Sequence, residues 1–169
     1  GILWLGGFDG VTEFDPRAER FTGHRHDPRD PRSISSDEVW AVHEDRQGRL
    51  WVGTASGLNE LDRARGTFTR ITRKDGLAGN SVRAILEDRE GYLWLATEGG
   101  LSRFHPAKKT FRNFTESDGL PGNFLNPYGL QGTWQSATGE LVLGSTNGVT
   151  AFFPERMSPN AYVPPLVLA

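Results

Sequence analysis

The 169 residues carry 19 Lys and Arg against 21 Asp and Glu, a formal net charge of −2 with the two signs interspersed, so a clustered basic face for nucleic acid is not expected. Cysteine is absent, which excludes disulfides and thiolate metal sites, and no apolar run approaches the ~18 residues of a membrane span. The 21 Gly and 5 Trp point to many turns around large aromatics, as in an all-β protein.

Gly1 opens the stretch GILWLGGFDGVTEF. The same grammar returns at Gly48 as GRLWVGTASGLNEL, at Gly91 as GYLWLATEGGLSRF and, more weakly, at Gly139 as GELVLGSTNGVTAF. A spacing of ~45 residues belongs to β-propeller blades of four antiparallel strands. The first unit begins in a second strand and lacks the strand before it; a leader peptide is not expected, since Gly1 already lies inside a repeat. Complete blades are predicted from about Ser36 to Arg73 and from about Gly79 to Glu116. A last unit begins near Asn123, with Trp134 in a longer first hairpin. Within the third unit the strands are SVRAILED, YLWLAT, GLSRFH and TFRNFT. In YLWLAT, Leu93 and Leu95 point to one face and Tyr92, Trp94 and Ala96 to the other, so both faces are apolar and buried between neighbours. Trp4, Trp51 and Trp94 share that strand position and are core residues. No stretch sustains a 3.6-residue period free of Gly or Pro.

The turns agree. Asp45 to Gly48 and Asp88 to Gly91 place Asp first and Gly last, as tight turns prefer. Gly10, Gly57, Gly100 and Gly148 recur where a Cβ would clash. Pro16, Pro106 and Pro154 follow third strands. The propeller segment therefore covers residues 1–154, with units starting near 1, 36, 79 and 123, and residues 155–169 form a tail. About four blades leave three readings: an arc of a larger ring, which is preferred, a four-bladed ring, or a ring completed by association of copies. An open arc exposes two apolar end faces, so self-association is expected.

The repeats identify the residues they do not repeat. Asp37, Asn80 and Asn123 align in the linkers entering the first strands, and Trp40, Arg83 and Asn126 are the variable positions that follow. Loops converge on a propeller's central channel, and this set of a carboxylate, amides, a guanidinium and a flat ring suits a small molecule or oligosaccharide. Capping of the linker turns competes as the role of Asp37, Asn80 and Asn123. Catalysis is not expected. The acid pairs Glu44-Asp45 and Glu87-Asp88 recur at a hairpin, which favours a structural role. His24, His26 and Asp27 lack further ligands for a metal. No phosphate loop or nucleophile elbow occurs, and neither a cofactor nor a metal is expected.

VHEDRQGRLWVGTASGLNELD and ILEDREGYLWLATEGGLSRFHP resemble the two-component regulator propeller repeat, and HRHDPRDPRSISSDEVWAV, DGLAGNSV and DGLPGNFL resemble that family's linkers. Ala96 in place of Gly, Val142 in place of Trp and Ser136 in place of Asp depart from the pattern. The resemblance implies a non-catalytic sensor or scaffold region of a bacterial histidine kinase, facing the periplasm without touching the membrane. It implies that residues 155–169 lead into an immunoglobulin-like domain. The alternatives are a propeller that only mediates dimerisation and a propeller lyase or hydrolase.

Overall fold

The computed structural model describes residues 1–120, 132–145 and 148–157. These form four antiparallel sheets. Blade 1 comprises β1 (Leu3–Gly7), β2 (Gly10–Asp15) and β3 (Arg20–His24). Blade 2 runs from β4 (Val39–Glu44) through β5 (Leu50–Thr54) and β6 (Gly57–Asp62) to β7 (Thr67–Ile71). Blade 3 repeats it with β8 (Val82–Glu87), β9 (Leu93–Thr97), β10 (Gly100–His105) and β11 (Thr110–Phe114). Blade 4 has β12 (Thr133–Gln135), β13 (Leu141–Ser145) and β14 (Gly148–Phe152). In every sheet the strands pair in chain order, the meander expected of a propeller blade. The inner strands β4, β8 and β12 follow one another from blade to blade, and β1, which matches the second strand β5 by sequence, packs beside β4 as β5 packs beside β8.

Trp134 sits in the first hairpin of the last unit. It lies on β12 itself, opposite Val142. The turn from Ser136 to Glu140 closes with Ser136 N–H donating to the Glu140 carbonyl at 2.9 Å, as Asp45 N–H does to Arg49 at 3.0 Å. The turn of that hairpin thus has the same length as in blade 2; the residues that make the last unit longer precede Gly132 and lie outside the described residues.

The alternation read from YLWLAT is realised in two separate cores. Leu93 and Leu95 pack with Trp51, Leu58, Ile85 and Phe104 between blades 2 and 3. Trp94 and Ala96 pack with Leu101, Phe114, Leu141 and Leu143 between blades 3 and 4. A third cluster joins Val11 and Trp4 to Val39, Leu50 and Val52 between blades 1 and 2. β5 and β9 are thus sandwiched, which is why their residues are apolar on both sides.

Two kinds of glycine are fixed by close approach. Gly10, Gly57 and Gly100 have φ of 88°, 146° and 125°. A Cβ on them would meet the carbonyl oxygens of His24, Ile71 and Phe114, where the outer strands end. Gly6 and Gly53 instead face the next blade, where a Cβ would collide with Val39 and Val82.

The blade's turn and core are joined by one interaction. Asp45 and Asp88 are buried. One oxygen of Asp45 accepts the N–H groups of Gln47 (3.0 Å) and Arg49 (2.9 Å), and the other accepts the Trp51 indole N–H at 2.9 Å and Arg49 Nε at 2.7 Å. Asp88 repeats this with Glu90 N–H (2.9 Å), Tyr92 N–H (3.0 Å) and the Trp94 indole (2.8 Å). Blade 4 has lost both members together: Ser136 stands for the Asp and Val142 for the Trp, and the Ser136 hydroxyl accepts Glu140 N–H at 2.8 Å and pairs with the Thr138 hydroxyl at 2.8 Å.

Asp88→Ala leaves an indole and two backbone donors without their acceptor and is expected to cost about 2–4 kcal/mol; Trp94→Ala is expected to cost about 3–5 kcal/mol. Because the two act on one contact, the double variant loses less than the sum in a urea titration. Burial works to raise the pKa of Asp45, but the Trp51 indole and the Arg49 donors outweigh it and hold it below the ordinary carboxylate value. A depressed pKa contributes stability that is complete above the unfolded value of about 3.9 and is lost as pH falls through the folded value. Asp45→Asn flattens that acid limb in melts taken from pH 6 downwards.

Candidate functional site

The first strands of blades 2 and 3 bring two of the predicted residues into contact. The Arg83 guanidinium lies 3.9 Å from the centre of the Trp40 ring, a cation–π stack. Phe8, from the β1–β2 turn, sets its ring edge-on to Trp40 at 5.6 Å. Both strands carry a register shift here, between Val39 and Ala41 and between Val82 and Ala84. The bulged residue is Trp40 in one and Arg83 in the other; a bulge re-aims a side chain out of the pleat. Arg83 Nε donates to Ser81 Oγ at 2.9 Å. Its Nη1 and the Trp40 indole nitrogen are buried and make no hydrogen bond among the described residues. Two adjacent donors thus lack an acceptor, a costly arrangement unless another group completes it.

Asp37 and Asn80 are engaged in the linkers. One Asp37 oxygen accepts His26 N–H at 2.7 Å, and its carbonyl accepts Gly10 N–H at 2.8 Å. Asn80 Oδ1 accepts Arg73 N–H at 2.9 Å. Asn123 and Asn126 lie outside the described residues, as do residues 158–169 of the predicted tail.

The linkers are held by different devices. In the long one, Arg70 donates to the carbonyls of Asp30 (2.9 Å) and Ser33 (2.8 Å) and to Ser33 Oγ (2.8 Å). His26 Nδ1 pairs with the Ile34 carbonyl at 2.8 Å. In the short one, Thr72 and Asp75 cap a 3-10 turn closed by Gly76 at φ 118°, and the Glu98 carboxylate accepts the N–H groups of Asn80 and Ser81, each at 2.7 Å. Phe8 and Glu98 were not singled out from sequence. They occupy the same place in the β1–β2 and β9–β10 turns, where blade 2 has Ala55, so this position varies as much as those of Trp40 and Arg83.

The acid pairs are likewise committed to structure. Glu44 pairs with Arg63 at 2.6 Å, and Glu87 accepts Arg46 N–H at 3.1 Å and faces His43 at 3.6 Å. Burial lowers the His24 pKa against the opposing pull of Glu13. No cluster of three or more His, Asp or Glu that could hold a metal occurs among the described residues. A separate groove of about 330 Å3 between the outer strands of blades 2 and 3 is lined by Ile71, Phe104 and Phe111 with Arg70 and Lys109. No helix among the described residues is long and apolar enough to cross a membrane.

Residues 33–56 and 76–99 match the family model described as two component regulator propeller. No curated protein matches the chain. Among solved structures, the extracellular domain of a putative hybrid two component system from B. thetaiotaomicron is 24% identical with a TM-score of 0.73, covering 89% of this chain and 20% of that one. Virginiamycin B lyase from Staphylococcus aureus is 12% identical with a TM-score of 0.58, over 90% of this chain and 52% of that one. PorZ, a surface component of the type-IX secretion system of Porphyromonas gingivalis, is 15% identical with a TM-score of 0.54, over 90% and 30%. The chain thus spans from a fifth to about half of these proteins, and the likenesses show a shared propeller fold. Blades 2 and 3 each contain a stretch that matches the two component regulator propeller model, and the chain is a partial β-propeller similar to that family.

Proposed function

We propose that this segment belongs to the sensor region of a bacterial two component system, exposed outside the cytoplasm, where it binds a ligand without catalysing a reaction. The observation that carries this reading is the Trp40–Arg83 pair with its two buried, unpartnered donors. They suit an oxygen-rich ligand, a carboxylate-bearing metabolite or an oligosaccharide, whose acceptors satisfy the guanidinium and the indole together. The family match and the extracellular two component neighbour support the sensor setting. Binding signals only if it favours one arrangement over another; residues 155–169, leading into an immunoglobulin-like domain, are the path for that bias.

Thermal melts against a panel of oligosaccharides and small carboxylates test the site. A true ligand at a hundred times its Kd stabilises by about 2.7 kcal/mol, or roughly 5–10 °C for a chain of this size. Trp40→Phe, which keeps the ring and removes the N–H, and Arg83→Ala each abolish most of that shift. A panel without a single stabilising compound favours a propeller that only assembles.

Assembly has its own support. Leu3, Leu5 and Phe21 are 54%, 52% and 63% exposed on the outer side of blade 1, and Trp134 and Val149 are 59% and 68% exposed on the outer side of blade 4. The two faces resemble the two halves of a blade–blade contact, so copies join head to tail, a heterologous association. Sedimentation is expected to show mass rising with concentration and to be reversed by Leu5→Arg. A monomer across the full range overturns this part.

A further inference from the structure

Phe68 and Phe111 hold the same place in blades 2 and 3, on the outer strands opposite Leu61 and Phe104. Their surroundings differ. Phe68 is buried at 5% exposure, whereas Phe111 is only partly covered. The linker entering each blade makes the difference. The long linker, residues 25–38, crosses the outer edge of β7, and its Arg32 carbonyl accepts Phe68 N–H at 2.7 Å. Arg70 holds it there through the carbonyls of Asp30 and Ser33. The short linker, residues 72–81, brings Gly76 to the Phe111 ring, at a point where a Cβ would come within 2.8 Å of it. It is tied to β11 by Asn113 Nδ2, which donates to the Gly76 carbonyl at 3.0 Å.

The shorter linker leaves an edge and a space. β11 is the end strand of its sheet. By the register it shares with Phe68, Phe111 turns its N–H away from β10, and among the described residues no carbonyl receives it. Between blades 1 and 2 the space beside Leu61 and Gly66 is a cavity of about 80 Å3. The matching space beside Phe104 and Lys109 widens to the groove of about 330 Å3, the scale of a ligand pocket.

We infer that this groove docks an extended, acidic peptide segment of a partner protein, which covers blade 3 as residues 27–34 cover blade 2. The lining states its chemistry. The open edge takes a main-chain carbonyl onto Phe111 N–H, as strand additions do. Ile71, Phe104 and Phe111 form a floor for one apolar side chain, with the two phenyl rings stacked at 4.4 Å. Among the charged groups of the lining, Lys109 is already paired with Glu60. Asp75 is spent on the N–H and hydroxyl of Thr72. Arg70 bonds to linker carbonyls and the Ser33 hydroxyl, and among the described residues it has no carboxylate partner. It is the charge left to match, so the peptide carries an Asp or Glu beside its apolar residue. The groove lies on the outer strands and the Trp40–Arg83 pair on the inner ones, so one can be filled without the other.

The test uses the whole chain, 15N-labelled, and a capped peptide with the sequence of residues 27–34, which carries two Asp and an Ile. In the free chain the Phe111 amide is expected to exchange at least about tenfold faster than that of Phe68. Saturating peptide removes that difference and shifts the signals of Ile71 and Phe111. Phe111→Ala weakens binding about tenfold. A peptide carrying Asp27→Asn and Asp30→Asn binds more weakly than its parent, and Arg70→Gln in the chain erases the distinction between the two. A Phe111 amide as protected as Phe68 in the free chain overturns the open edge. Saturating peptide that leaves the Phe111 amide unchanged overturns the docking site. Equal binding of the Asp and Asn peptides to the unaltered chain overturns the acidic partner. Protection that grows with chain concentration in the absence of peptide assigns the groove to a second copy instead.

Discussion

The structure depends on a carboxylate that has been taken out of water. Asp45 and Asp88 each sit in a tight turn, yet both are buried and spend their lone pairs on backbone N–H groups of the turn and on one indole. An unpaired charge there would be strongly destabilising. Satisfied, it ties three things at once: the shape of the hairpin, the start of the second strand and the rotamer of the largest side chain in the blade. Trp51 then meets Phe104 edge to face at 5.6 Å and Trp94 stacks with Phe114 at 5.6 Å. The order from turn to strand to blade interface thus runs through one polar contact.

That contact explains how a repeat protein frees other positions to vary. With turn and core fixed, the bulged residue of the inner strand and the tip of the second hairpin are left to differ from blade to blade. Trp40 and Arg83 fill the first kind of position, Phe8 and Glu98 the second. The ring, the guanidinium and the second ring meet because adjacent blades deliver them to one place. The virginiamycin B lyase likeness shows that chemistry can be grafted onto this fold; here the recurring acids are engaged with indoles and arginines.

Strand positions, blade order and the two-faced burial of Leu93, Trp94 and Leu95 were legible in the sequence because they follow from period-two patterning and repetition. The partner of Asp45 was not, since turn preference alone accounts for an Asp at that place and says nothing of an indole six residues on. A signal existed: Ser136 and Val142 replace the pair together. The Trp40–Arg83 contact was anticipated as a neighbourhood of variable residues, while their stacking depends on where the bulges fall. Asp37 and Asn80 are spent on linker geometry, the turn-capping role that their place at the head of each linker already offered. Phe8 and Glu98 were not legible, because a turn tip imposes no residue type and only the glycines beside it repeat.

The small residues at the fourth place of the second strands carry one more consequence. Gly6 and Gly53 let the next blade's inner strand come so near that a methyl group would collide with it, and blade 3 has Ala96 at the equivalent place. Farther out, Phe68, Phe111 and Phe114 hold the outer strands apart. A stack that is thin on one side and thick on the other is a wedge, and the wedge angle fixes how many blades complete a circle. The circumference of the ring is thereby written in its least bulky side chains: each carbon added at the hub flattens the wedge and calls for more blades to come round.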